Sequence, residues 1–297
     1  MGYFYLLFIG MMFSFGGSCV KLINPYFAPS MISCLRFAVG VMFLLILKAI
    51  LRQPFRSDFK KQFAASWKWL LMGGASKLLA YITENTALTL GYSYGNIITM
   101  PVQIVQLALI GAFVLKEKLT PRKWVGIALC VIGIMTISLN GKSLADFLTS
   151  NLLITVLFIL SGCFAGFFMY AQKKVADRLD ILDSNLVMFS IGAVLGLIMP
   201  AAEGNLLPRS MPNLPAVFAI LLFGFITGIG FYLNAKAIPL VPFYMVPLLQ
   251  STMVFFTILW GILFFHEPVS VYIAAGTLIF VLGILCMQMP GMTKKKA

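Results

Sequence analysis

The sequence predicts an all-α membrane protein: ten transmembrane helices in two five-helix repeats of inverted topology, with the N- and C-termini cytoplasmic. Three observations carry that expectation: an apolar excess, the spacing of the apolar runs, and a one-sided distribution of Lys and Arg. Of the 297 residues, 61% are hydrophobic and 10% charged, and the mean hydropathy is +0.98. A soluble chain carries roughly a quarter charged residues, so the solvent around most of this one is lipid.

The apolar runs come first in order. The opening stretch "MGYFYLLFIGMMFSFGGSC" lacks the positive flank of a signal peptide, and its apolar character continues to Val20. It reads as an uncleaved first helix. A spanning helix needs about 20 mostly apolar residues. Polar breaks leave segments of that kind at 3–23, 30–50, 66–90, 93–115, 121–140, 150–172, 182–201, 214–236, 241–265 and 270–289. Thr120 before Pro121, and Ser270, are ordinary helix starts. No interval between the runs is long enough for a soluble domain.

Charge then orients the segments. The chain has 22 Lys and Arg against 9 Asp and Glu. With a cytoplasmic N-terminus, the stretches 48–68, 116–123, 173–178, Lys236 and 294–296 hold 17 of those cations, and the opposite face holds only Lys21, Lys142 and Arg209. Positive residues gather on the cytoplasmic side, so the basic character orients the chain in a membrane and gives no reason to expect nucleic acid. The tail 291–297 reads as a basic cytoplasmic extension, although its "KKKA" also matches a dilysine retrieval signal. Cys19, Cys34, Cys130, Cys163 and Cys286 lie in apolar runs without metal-like spacing, and read as small packing residues.

An offset of 150 residues superposes the halves. Gly16 meets Gly166, Ala87 meets Ala237, Glu117 meets Glu267, Gly126 meets Gly276, and Gly133 meets Gly283. This divides the chain into 1–140 and 150–290, with five apolar segments in each. An odd number forces the second half to enter the membrane inverted, and the charges agree: "KEKLTPRK" is basic, whereas its counterpart "HEPVSVYI" has no Lys or Arg. Inverted repeats of this kind place a binding site at their interface near the midplane. With "ENTAL" (84–88) before a polar turn, "KEKLTP" (116–121) ahead of a Gly-rich helix, and its echo "HEPVS" (266–270), the chain resembles the drug/metabolite transporter superfamily, in its ten-helix EamA-type branch. The likeness covers 1–140 and 150–290. It implies export, or sometimes uptake, of small metabolites such as amino acids.

Polar residues inside the spans are the candidate site. Lys77, Tyr81 and Glu84 share one helix face at i, i+4 and i+7. At 1.5 Å per residue, seven residues separate the two charges by about 10.5 Å, too far to pair directly along the helix. A charge at the bilayer centre costs roughly 2.5–3.5 kcal/mol. Glu84 is therefore a candidate for substrate ammonium or for a proton, or else a buried helix–helix hydrogen bond. Lys77 meets a substrate carboxylate or snorkels to the cytoplasmic interface. Asn96, Thr99, Gln103 and Gln106 form a polar stripe on the fourth segment. The repeat sets Thr227, Phe231 and Asn234 against Lys77, Tyr81 and Glu84, and adds Gln250 and Trp260 on an apolar ninth segment. The stripe lines a cavity or glues helices. Pro101 and Pro247 are expected to interrupt the fourth and ninth segments near their middles, as hinges or static kinks. Glu117 and Glu267 are helix-end caps or gates. Arg36 reads as a headgroup-binding residue near the outer face.

These features favour a secondary transporter that moves a small organic metabolite, an amino acid or amine-like solute, by alternating access, with Glu84 as candidate proton carrier. The alternatives are a channel or a lipid-modifying enzyme. The single histidine, His266, sits at a helix end, and the sequence has no nucleophile elbow, P-loop, metal-ligand cluster or cofactor motif. Partners expected are the solute and membrane lipid, with the chain as monomer or homodimer in a bacterial cytoplasmic membrane. A cysteine introduced by Ser57→Cys should react with impermeant maleimide only after cells are permeabilised. Labelling from outside intact cells would overturn both the orientation and the inverted repeat.

Overall fold

The structure, a computed structural model, describes residues 2–55, 58–113, 116, 120–237, 240 and 246–288; side chains 2, 3, 112, 150, 246–248, 250, 251 and 288 are outside the description. The described residues are all helical or irregular, with no strand among them. The first repeat contains α1 (Gly2–Ile23), α2 (Pro29–Ile50), α3 (Phe59–Leu90), α4 (Thr99–Phe113) and α5 (Pro121–Leu139). A 3-10 turn, Gly95–Ile98, leads into α4. The second contains α6 (Leu152–Val175), α7 (Ile181–Leu195, with a short continuation Ile198–Ala202), α8 (Leu214–Ala237), α9 (Val246–Phe265) and α10 (Val271–Gln288).

Six described helices are long and apolar enough to cross a membrane: Phe4–Ile23, Pro29–Ile50, Pro121–Leu139, Leu152–Val175, Ile181–Ala202 and Leu214–Ala237. Shorter apolar helices run over Gly95–Gly111, Thr252–Phe265 and Val271–Met287. α3 is different. Its 32 residues exceed a single span, and its first turns expose Lys60, Lys61 and Lys68. The apolar run alone would start it at 66; the helix continues seven residues into the basic stretch because nothing there breaks it.

Local chemistry sets the ends. Pro121 opens α5 at a position whose N–H needs no intrahelical partner, and Asn140 closes that helix in the left-handed conformation. The side chains of Asp180 and Asn213 accept from Leu182 N and Ala216 N at 2.9 and 3.0 Å, capping α7 and α8. Pro101 falls in the first turn of α4, where a proline removes no hydrogen bond, so the expected mid-helix interruption is not what the backbone forms there. The residues before Val246 lie outside the description, and with them the start of the helix that holds Pro247.

The helix pairings come in matched sets. α3 packs along α6 as α8 packs along α1; α4 meets α6 as α9 meets α1; α3 meets α7 as α8 meets α2. Two further pairs, α2 with α7 and α5 with α10, map onto themselves when the halves are exchanged. A twofold relation between the repeats produces this pattern.

The α5–α10 seam lies on that relation. A Cβ built on Gly133 would come within 2.7 Å of Gly276 O, and one on Gly276 within 2.8 Å of Gly133 O; Gly126 and Gly283 oppose each other at 2.6 and 2.8 Å. Between them Cys130 Sγ is 3.7 Å from Phe280 O, its own equivalent at the 150 offset. Without a Cβ the backbones approach closely, which is how helices gain dispersion contacts where lipid removes the hydrophobic drive. Gly133→Leu should force the seam apart at a cost of about 1–3 kcal/mol, seen as a lower melting temperature in detergent. Val131→Leu, on the exposed face of α5, should melt like the parent.

Candidate functional site

Close backbone contact between α2 and α8 creates the site. Gly40 and Gly228 lie against each other, with Gly40's hypothetical Cβ also 3.4 Å from Gly224 O. One turn away this crossing brings Arg36 of α2 to Thr227, which sits in the π-helical turn Ile226–Gly230 of α8. Arg36 Nε donates to Thr227 Oγ1 at 2.6 Å, and that hydroxyl donates to Phe223 O at 2.9 Å. The guanidinium carbon stands 3.5 Å from the centroid of the Tyr81 ring and 3.9 Å from that of Phe223. Nη1 is 3.9 Å from Glu84 Oε2, and Glu84 Oε1 accepts from Asn96 Nδ2 at 3.2 Å.

Arg36 is only 7% exposed, so it does not reach headgroups; the sequence expectation for it is corrected. Its desolvation is offset by several contacts. A desolvated cation–π contact contributes about 2 kcal/mol, and a hydrogen bond to a charged group about 1.5–3 kcal/mol. Two rings, one hydroxyl and a nearby carboxylate together match the several kcal/mol that burying an ion costs.

Lys77, on α3, is also 7% exposed. It does not snorkel. Its Nζ lies 4.4, 4.6 and 5.1 Å from the ring centroids of Tyr81, Phe231 and Phe168. No described residue forms a hydrogen bond or ion pair with it.

Around these groups is a cavity of about 200 Å³. Of the residues expected from sequence, Lys77, Tyr81, Glu84, Asn96, Gln103, Phe231 and Asn234 line it together. Arg36, Phe168 and Gln172 join them. Gln103 Nε2 is directed at Met169 Sδ on α6. Three expected residues are elsewhere. Gln106 lies over Gly166 in the α4–α6 contact. Trp260 donates from Nε1 to Ser14 Oγ at 2.7 Å and stacks on Phe15 at 4.7 Å, within the α1–α9 contact. Pro101 is buried at the start of α4. Gln250 and Pro247, as side chains, and Glu117 lie outside the described residues.

A larger cavity, about 560 Å³, occupies the end of the bundle where α1, α3 and α5 finish. Phe158 lines it, while Ser161 and Ala165, one and two turns further along α6, line the central cavity. At this end Glu267, at the α9–α10 junction, accepts from Ser93 N at 2.9 Å and Ser93 Oγ at 2.7 Å. Tyr94 Oη donates to Pro268 O at 2.7 Å. Lys21 Nζ is 4.0 Å from Glu267 Oε1 and donates to Gly91 O. These contacts join the α3–α4 break to α1 and to the α9–α10 turn. At the opposite end, buried Lys48 pairs with Asp183 between α2 and α7.

Fold and site together define a multi-pass helical membrane protein with a charged cavity between its halves. The chain belongs to the EamA-like transporter family, which matches residues 1–139 and 152–289, one repeat in each half. A solved crystal structure of a protein superposes with a TM-score of 0.61 over 96% of this chain and 94% of its own, at 14% identity. At that identity the likeness speaks for the fold alone. No curated protein matches the sequence.

Arg36→Met should leave Glu84 without its cation and destabilise the purified protein by on the order of 3 kcal/mol. Adding Glu84→Gln should restore much of the loss. Equal melting temperatures for the single and double variants would mean that the two charges do not depend on each other.

Proposed function

We propose that the protein is a secondary transporter that moves a small organic metabolite across the cytoplasmic membrane by alternating access, exporting it from the cell. In this reading ten helices span the bilayer as two inverted five-helix repeats with both termini inside. The observation that carries it is the central cavity between the repeats, where buried Arg36 and Lys77 stand beside half-buried Glu84 in a chain of a transporter family. Charges this deep are tolerated where they serve a solute or ion path.

The two ends supply what alternation requires. The Glu267–Ser93 contacts with Lys21 hold the end assigned to the outside, and Lys48–Asp183 holds the cytoplasmic end. Opening one face breaks one set while the other stays closed. An amino acid suits the cavity better than a simple amine, because Arg36 and Lys77 both repel a lone cation. Glu84 carries the coupled proton: protonation removes the charge facing Arg36, and Asn96 can then accept from the acid.

In proteoliposomes loaded with amino acids, a proton gradient should drive flux that Glu84→Gln abolishes or renders independent of pH. The amide keeps the shape and its hydrogen bond to Asn96, so the variant should still be purified intact. Parent-like flux with unchanged pH dependence would make Glu84 structural.

A further inference from the structure

We propose that Lys77 is the docking point for a carboxylate of the transported solute, whose apolar body lies against Phe168 and Phe231. This deepens the transporter reading and rests on it. It follows from how the cavity's charges are already used. Glu84 is taken by Arg36 at 3.9 Å and by Asn96 at 3.2 Å. Arg36 is taken by Thr227 and held between two rings. Lys77 is left over: more than nine-tenths buried, lining the cavity, and without a hydrogen-bond acceptor among the described residues.

An ammonium group has three N–H donors and no acceptor. Rings at 4.4–5.1 Å stabilise its charge but accept no conventional hydrogen bond from it. What the position lacks is an anion with lone pairs. With two cations against one carboxylate, the cavity has a formal charge of +1, and a monoanion neutralises it. The rings of Tyr81, Phe168 and Phe231 surround Lys77, in a cavity whose other lining mixes apolar Phe13 and Ala80 with polar Gln103 and Gln172. The aromatic side fits a hydrocarbon or aromatic body and disfavours a strongly hydrated dianion such as a phosphate ester. The solute class is therefore an apolar carboxylate small enough for about 200 Å³, with or without an amino group.

The test is binding to the purified full chain by a matched set: phenylacetate, phenylacetamide, phenethylamine and phenyl phosphate. Phenylacetate should bind at least tenfold more tightly than each of the others. Lys77→Met, which removes a buried charge and keeps the stem, should reduce the preference over the amide below threefold. Lys77→Arg should retain it. Equal binding of amide and carboxylate by the parent, tighter binding of the amine or the phosphate, or an undiminished preference in Lys77→Met would overturn the assignment. Transport is measured separately with phenylacetate in proteoliposomes. Lys77-dependent binding without flux would count against the transporter reading alone. Flux without carboxylate preference would overturn the Lys77 assignment and leave transport standing.

Discussion

A buried guanidinium has to be compensated, and the placement of Arg36 orders much of this protein's centre. Its partners come from two helices, Tyr81 and Glu84 from α3 and Phe223 and Thr227 from α8, gathered around a residue of a third, α2. None of these groups alone offsets the desolvation of a charge. The α2–α8 approach at Gly40 and Gly228 lets them act together. Arg36 has a hydroxyl and a carboxylate beside its rings, whereas Lys77 has rings alone among the described residues, and that imbalance gives the cavity its chemical character.

The same currency of charge is spent differently at the two ends. There the cations have protein partners: Lys21 with Glu267, and Lys48 with Asp183. Those pairs join helices from opposite halves. At each end a cation meets a carboxylate, whereas in the cavity Lys77 lies among rings.

Much of the architecture was legible in the sequence. Apolar runs and polar breaks locate most described helix ends within a few residues, the starts of α3 and α4 excepted, and glycines spaced alike in both halves, Gly126/Gly133 and Gly276/Gly283, mark the seam where α5 crosses α10. The EamA resemblance is confirmed across both repeats. Periodicity names the face of a helix but not the neighbour that covers it, so Gln106 and Trp260 could not be told from cavity residues. Arg36 lies well inside α2, away from the helix start that a headgroup-binding residue would occupy. It is the eighth residue, about 10 Å from the start at 1.5 Å per residue. It also shares its face with Ser33 and Gly40, small residues that signal a helix contact. The segment 93–115 is continuous in composition, but the backbone forms a 3-10 turn over Gly95–Ile98 before α4 begins, which puts Pro101 in the first turn of that helix.

The repeat explains both the symmetry of the scaffold and the asymmetry of the site. Lys77, Tyr81 and Glu84 in α3 correspond to Thr227, Phe231 and Asn234 in α8. In the folded chain these equivalents cross over. Phe231, the counterpart of Tyr81, stands by Lys77, while Thr227, the counterpart of Lys77, binds the arginine that lies on Tyr81. Strict symmetry would set a lysine at 227 and a glutamate at 234; Thr and Asn stand there instead, and Arg36 of α2 lies beside Glu84. Lys77 is left among rings, without a carboxylate partner among the described residues. The scaffold keeps the halves related while the residues that line the cavity differ between them.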